Sequence, residues 1–166
     1  MRRSPKHIVT YFHELFNEPI NMQTFEDRLL LQKRVYFLQE FGVPFGYSFG
    51  WYIRGPYSSE LADDGFENQN LSKSSNKNME KYSKILPKPE SDDKEGLKKA
   101  EKFFERIKES GISEDRLLEL TSSLHFLINE WFENDYSAAA KKLRKRKPKF
   151  SAKEIEEAQK ILEKFF

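Results

Sequence analysis

Residues 32–61, QKRVYFLQEFGVPFGYSFGWYIRGPYSSEL, constrain the fold more than any other stretch of this chain. They hold nine aromatic residues, and Gly42, Pro44, Gly55 and Pro56 cut the stretch into short pieces. Gly42 stands where a left-handed residue ends a helix, and Pro44 prevents the helix from continuing. Before that stop, Leu30, Leu31, Val35, Phe37, Leu38 and Phe41 cover an arc wider than a single seam. This helix is therefore expected at the centre of the fold, with Gln32, Lys33 and Tyr36 on its less apolar part. After the stop, residues 47–53 alternate: Tyr47, Phe49, Trp51 and Ile53 to one side, Ser48, Gly50 and Tyr52 to the other. That is the period of a strand. Arg54-Gly55-Pro56-Tyr57 reads as a turn, and Ser58 or Ser59 as the cap of a further helix. A strand needs a partner, and the candidate is the segment 82–86, YSKIL.

The flanking sequence is helical. Ser4-Pro5 opens a helix whose apolar positions are Ile8, Phe12, Leu15 and Phe16, with Glu18-Pro19 as its end. Thr24 caps the central helix, and Glu26 and Asp27 suit its positive end. Residues 67–95 are dominated by Asn, Ser, Lys and Pro and read as a polar surface loop or insert. Helical spacing returns at Leu97, Phe103, Phe104 and Ile107 and stops at Gly111. Ser113 then opens the most regular helix, in which Leu117, Leu120, Leu124, Leu127 and Trp131 advance by three and four. Asp135 caps another helix, and Ser151 with Glu154 forms a capping box before the last. The expected fold is one mainly α domain over residues 1–166, a compact multi-helix arrangement with a small β-hairpin or two-stranded sheet. The order of helix, break, strand, turn and helix is also compatible with a winged-helix-like shape.

Composition narrows the function classes. Apolar residues make up 37% and charged ones 34%, but fifteen phenylalanines supply rings enough for a core under a charged shell. The absence of cysteine removes disulfides and thiolate metal sites. The opening MRRSPKHIV is basic without the apolar centre of a signal peptide, and no apolar run is long enough to span a bilayer, so a cytoplasmic location is expected. His7 and His13 are six positions apart and fall on different helix faces, while His125 lies inside an apolar arc and reads as core. Glu60, Asp63 and Asp64 are accounted for by the helix start that they follow. With no glycine-rich phosphate loop, HExxH or nucleophile elbow, the sequence points away from an enzyme and to no metal or cofactor.

Two stretches remain as binding candidates. Trp51, Tyr52, Arg54 and Tyr57 fall within seven positions, and Trp, Tyr and Arg are the residues that anchor protein interfaces. The competing explanation is that these rings fill the core beside the central helix. Seven of the nine residues in 141–149 are basic, namely Lys141, Lys142, Arg144, Lys145, Arg146, Lys147 and Lys149. They could neutralise phosphates of a nucleic acid, or simply form a solvated helix face. The net charge of +2 means that any such affinity must come from this local run.

The order of several of these signals resembles the YwgA-like family and, more distantly, the SocA-like antitoxin (Panacea) domain. The residues that carry the likeness are the helix Leu31-Gln32-Lys33-Arg34-Val35-Tyr36-Phe37-Leu38-Gln39, the segment Tyr47-Ser48-Phe49 and the turn Gly55-Pro56-Tyr57-Ser58 with Leu61. To these add the helix Leu120-Thr121-Ser122-Ser123-Leu124-His125-Phe126-Leu127 and the stretch Lys147-Pro148-Lys149-Phe150-Ser151. The first resemblance implies a small, mainly helical domain. The second implies a partner-binding role in defence or toxin control. The polar insert and the basic run are departures from the antitoxin pattern, so no particular toxin is implied. Together these readings give a non-enzymatic binding or regulatory protein acting through protein contacts, with nucleic-acid binding through 141–149 as the alternative.

Overall fold

The computed structural model describes residues 3–133 and 135–166, so Met1 and Arg2 of the basic N-terminal stretch lie outside the described residues. In chain order the elements are α1 (Lys6–Phe16), α2 (Phe25–Glu40), β1 (Gly50–Tyr52), β2 (Gly55–Tyr57), α3 (Ser59–Lys77) and α4 (Met79–Tyr82). A single 3-10 turn (Ser91–Asp93) follows, then α5 (Lys94–Glu109), α6 (Glu114–Glu130), α7 (Tyr136–Arg146) and α8 (Ala152–Phe165). The fold is mainly α with a two-stranded antiparallel sheet, as the sequence leads one to expect. Among the described residues, no helix is long and apolar enough to cross a membrane. The contacts fall into two compact units: the chain up to Phe49 with Ser58–Glu101, and Gly50–Tyr57 with Lys102–Phe166.

In the first unit α2 is buried on every side over its middle turns. Thr24 and Asp27 close a capping box at its start, Asp27 N–H donating to Thr24 Oγ1 at 3.0 Å and Thr24 N–H to Asp27 Oδ2 at 3.1 Å. Every residue from Leu31 to Leu38 is buried, including Gln32, Lys33 and Tyr36, which the sequence places on a less apolar side. Two glutamines of α2, Gln32 buried and Gln39 half-buried, satisfy backbone groups elsewhere in the unit. Gln39 accepts from Tyr47 N–H at 2.8 Å and donates to Tyr47 O at 3.0 Å. Gln32 accepts from Ser58 N–H at 2.9 Å and donates to Ser58 O at 2.8 Å. Side-chain amides thus take the place of a neighbouring strand at both positions.

This corrects the expected strand. The ladder groups of Tyr47 belong to Gln39, so regular β structure starts only at Gly50. Its partner is the segment read as a turn, not residues 82–86, which form the end of α4 and a following turn in which Leu86 N–H donates to Tyr82 O at 3.1 Å. The true turn is Ile53-Arg54, closed by Gly55 at φ 93°, with Gly50 opposite Tyr57, Trp51 opposite Pro56 and Tyr52 opposite Gly55.

The expected polar loop over 67–95 is also revised, since α3 continues to Lys77. Its Ser72 hydroxyl accepts from Ile20 N–H at 2.7 Å, and Gln69 Oε1 accepts from Met22 N–H at 3.3 Å. Its later buried positions, Ser72 and Ser75, are polar and Ser72 bonds the 20–22 segment, so no apolar periodicity announces this part of the helix. Asp64, buried, accepts from the Tyr47 hydroxyl at 2.6 Å, which gives one of the clustered acids of α3 a structural partner. Asp93 is likewise buried, held by Tyr11 Oη–H and by Arg3, whose Nη1 donates at 2.5 Å.

In the second unit α6 is the axis, and all residues from Leu117 to Ile128 are buried. It packs against α7, α8 and β2. From α8 the buried residues are Ile155, Ala158, Ile161 and Leu162; from α7 they are Ala139 and Leu143. Asp135 caps α7 through Ala138 N–H at 3.1 Å, and Ser151 with Glu154 closes the capping box of α8. His125 is buried with its ring 4.4 Å from that of Phe166, and burial pulls its pKa down to about 4. It is a neutral core residue.

Candidate functional site

Both stretches singled out in the sequence lie in the second unit, and the structure joins them through a residue that the sequence reading passed over. Glu119 sits on α6 and is buried. Its Oε2 accepts from Lys147 Nζ at 3.1 Å, its Oε1 accepts from Lys149 Nζ at 2.9 Å, and Arg54 Nη1 stands 3.5 Å from the same Oε1. Lys147 is also buried and makes a second hydrogen bond, to the Ile53 carbonyl at the hairpin turn. Its ammonium lies 5.7 Å from the centre of the Trp51 ring. One lysine of the basic run therefore holds the tip of the hairpin from below.

The lysines are placed by the turn between α7 and α8. Phe150 is buried and its N–H donates to Lys147 O at 3.2 Å. Arg116 of α6 stacks 4.8 Å over the Phe150 ring, donates to Lys149 O at 2.5 Å, and forks onto Glu154 through Nε at 2.6 Å and Nη2 at 3.0 Å. The Arg116 hydrogen bonds hold the Glu154 carboxyl down to about 2. At Glu119 burial pushes the carboxyl up, but the hydrogen bonds and charges of Lys149 and Lys147 outweigh it and hold the group below the ordinary carboxylate range. At Lys147 burial wins over the attraction of Glu119 and lowers the ammonium from the usual lysine value.

Above this ionic layer the hairpin shows its apolar tip. Ile53 is 89% exposed and Tyr52 56% exposed, whereas Gly55 and Pro56 are buried and Trp51 and Tyr57 are half-buried. The Tyr52 and Tyr57 rings meet edge to face at 5.0 Å. Trp51 packs between Phe126 at 6.0 Å and Trp131 at 5.9 Å, and Trp131, just past the end of α6, is 54% exposed. A groove of about 470 Å³ runs along this face, lined by Trp51, Tyr52, Ile53, Arg146 and Lys147.

The basic run divides in two. Lys141, Arg144, Lys145 and Arg146 are exposed on α7, and Lys142 is half-buried. Lys147 and Lys149 turn back to Glu119. The aromatic segment divides similarly: Trp51 is half-buried between Phe126 and Trp131, Tyr52 stands out, Tyr57 supports Tyr52, and Arg54 is drawn towards Glu119. Ile53 and Trp131 belong to the surface but entered the sequence reading as strand and core residues. Glu119 did leave a trace in the sequence, being the single Asp, Glu, Lys or Arg in residues 117–128. No group of three or more His, Cys, Asp or Glu among the described residues is placed to hold a metal ion. Compared with protein-family models, with curated proteins and with solved structures, the chain gives no match.

Proposed function

We propose that this protein is a non-enzymatic binding and regulatory protein that works through protein–protein contacts, with the hairpin face of the second unit as its docking surface. The observation that carries the reading is Ile53. Turns ordinarily carry Gly, Asn, Asp, Ser or Pro, whereas here an aliphatic side chain 89% exposed stands at the tip of a hairpin anchored by a buried ion pair. Tyr52 and Trp131 extend the apolar area, and Arg54 and Arg146 border it, a mixture suited to an interface. The resemblance to antitoxin-type proteins points the same way. The groups gathered here offer contact area and charge, with Glu119 committed to its lysines.

Nucleic-acid binding is the second reading. It rests on Lys141, Arg144, Lys145 and Arg146, which are exposed and make no ion pair among the described residues. Against it, Glu119 neutralises one of the two charges of Lys147 and Lys149 and holds Lys147 buried, which removes part of the charge that phosphate contacts need.

The test is affinity capture from extract of the native cell with the wild-type chain and Ile53→Asp side by side, each with its thermal unfolding recorded. A partner retained by the wild type and lost from an equally stable variant supports the docking surface. Equal recovery of the same partner by both refutes it.

A further inference from the structure

We infer that the docking surface takes an acidic linear segment of a partner, one apolar side chain entering the groove between Trp51, Tyr52 and Ile53 and flanking carboxylates meeting Arg146 and Lys149. This inference rests on the docking surface proposed above and names its partner by chemistry. The first ground is charge. Lys147 and Lys149 both donate to the single carboxylate of Glu119, at 3.1 and 2.9 Å. One negative charge against two positive ones leaves the pair of lysines one charge in excess, before Arg54 is considered. Lys147 is buried, so the excess appears at Lys149, whose side chain is 39% exposed. Arg146 adds a further charge at the wall of the groove. Cations that the fold leaves unneutralised beside an apolar cleft set the sign of the partner's charge.

The second ground is the shape of the apolar part. A single-stranded nucleic acid stacks its bases on open aromatic faces. Here Trp51 is packed against Phe126 and Trp131, and Tyr52 meets Tyr57. The freest apolar side chain is Ile53, which offers van der Waals contact to another aliphatic or aromatic side chain but no face for stacking. A groove of about 470 Å³ is large enough for one such side chain and its neighbours along an extended segment.

The experiment is selection of a display library of random linear peptides on the immobilised full chain, with Ile53→Asp and Arg146→Glu selected in parallel. Both residues are at the surface, and the thermal unfolding of each variant is compared with that of the wild type. The expected outcome is enrichment of peptides with an apolar anchor and an excess of Asp and Glu relative to the unselected library. Binding of a synthesised winner should vanish with Ile53→Asp and weaken roughly three- to tenfold with Arg146→Glu, the effect of reversing one partly solvated charge. Enriched peptides with an apolar anchor but no acidic excess would overturn the inference and leave the docking surface standing. No enrichment, with salt-sensitive binding of a labelled duplex or single-stranded oligonucleotide lost on substituting Lys141, Arg144 and Lys145 by Ala, would overturn the inference in favour of nucleic-acid binding through α7. No enrichment and no oligonucleotide binding would overturn the inference alone, since the capture experiment still decides the docking surface.

Discussion

Replacing Glu119 by Gln tests the ionic layer on which the hairpin rests. The amide keeps the shape of the side chain but leaves Lys147, with a side chain 6% exposed, facing a neutral group. Removing one partner of a buried ion pair costs about 3–5 kcal/mol. Two effects reduce this. The Gln carbonyl still accepts a hydrogen bond, returning about 1 kcal/mol, and Lys149, being partly exposed, can turn to solvent at a cost of no more than about 1 kcal/mol. The net expectation is a loss of roughly 2–4 kcal/mol, or about 5–15 °C in Tm for a chain of this size. The readout is specific, because both tryptophans of the chain, Trp51 and Trp131, belong to the unit that contains Glu119. Urea titration followed by tryptophan fluorescence should show a lower midpoint at unchanged slope. The paired variant Glu119→Met with Lys147→Met should recover most of the loss, since an apolar pair of similar volume has no charge left to desolvate. The acid limb supplies a sign. Because the folded Glu119 carboxyl lies below its ordinary value, its contribution is complete above the ordinary carboxylate range and is lost as pH falls through the lowered value. Glu119→Gln should therefore flatten that part of the pH profile. A variant within about 1 kcal/mol of wild type, or a double variant no better than the single one, would refute the reasoning.

Three further outcomes follow from the geometry. Ile53→Asp should leave stability within about 0.5 kcal/mol of wild type, because an 89% exposed side chain has little buried area to lose; a cooperative loss in the urea titration would mean that the tip is structural. Burial takes His125 from 6.5 to about 4, so the unfolded chain binds a proton below pH 6.5 that the native state refuses. About 3 kcal/mol of stability should disappear as pH falls from 6.5 towards 4, and His125→Leu should remove this slope from the urea midpoints. Gly96→Ala should destabilise by about 1–3 kcal/mol by circular dichroism although alanine is the better helix former, because the new Cβ would stand 2.6 Å from the Phe41 carbonyl oxygen; a stabilised variant would count against that contact.

Much of the local structure was readable in the residues themselves. The caps Thr24, Ser58, Asp135 and Ser151 act within three positions of chain, and Gly42 at φ 102° and Gly111 at φ 81° stop helices by their own backbone freedom. The apolar faces of α6 and α8 repeat at the helical period, which any sequence reading can detect. Such features depend on neighbours a few residues away, and the sequence states those neighbours outright.

Other features depended on partners far along the chain. Gln39 holds the backbone of Tyr47 and shortens the expected strand, and Ser72 satisfies Ile20 from a distance of 52 residues and lets a polar segment remain helical. The candidate site is the extreme case. Lys147 bonds the Ile53 carbonyl 94 residues away, and Glu119 draws Lys147 and Lys149 out of what reads as one uniform basic run. The sequence by itself determined which residues could be helical, which stretches were rich in rings and which in charge. Only the tertiary structure decided which charges were neutralised and which ring or aliphatic group was left to solvent, because burial and ion pairing are set by groups that meet in space and not in sequence.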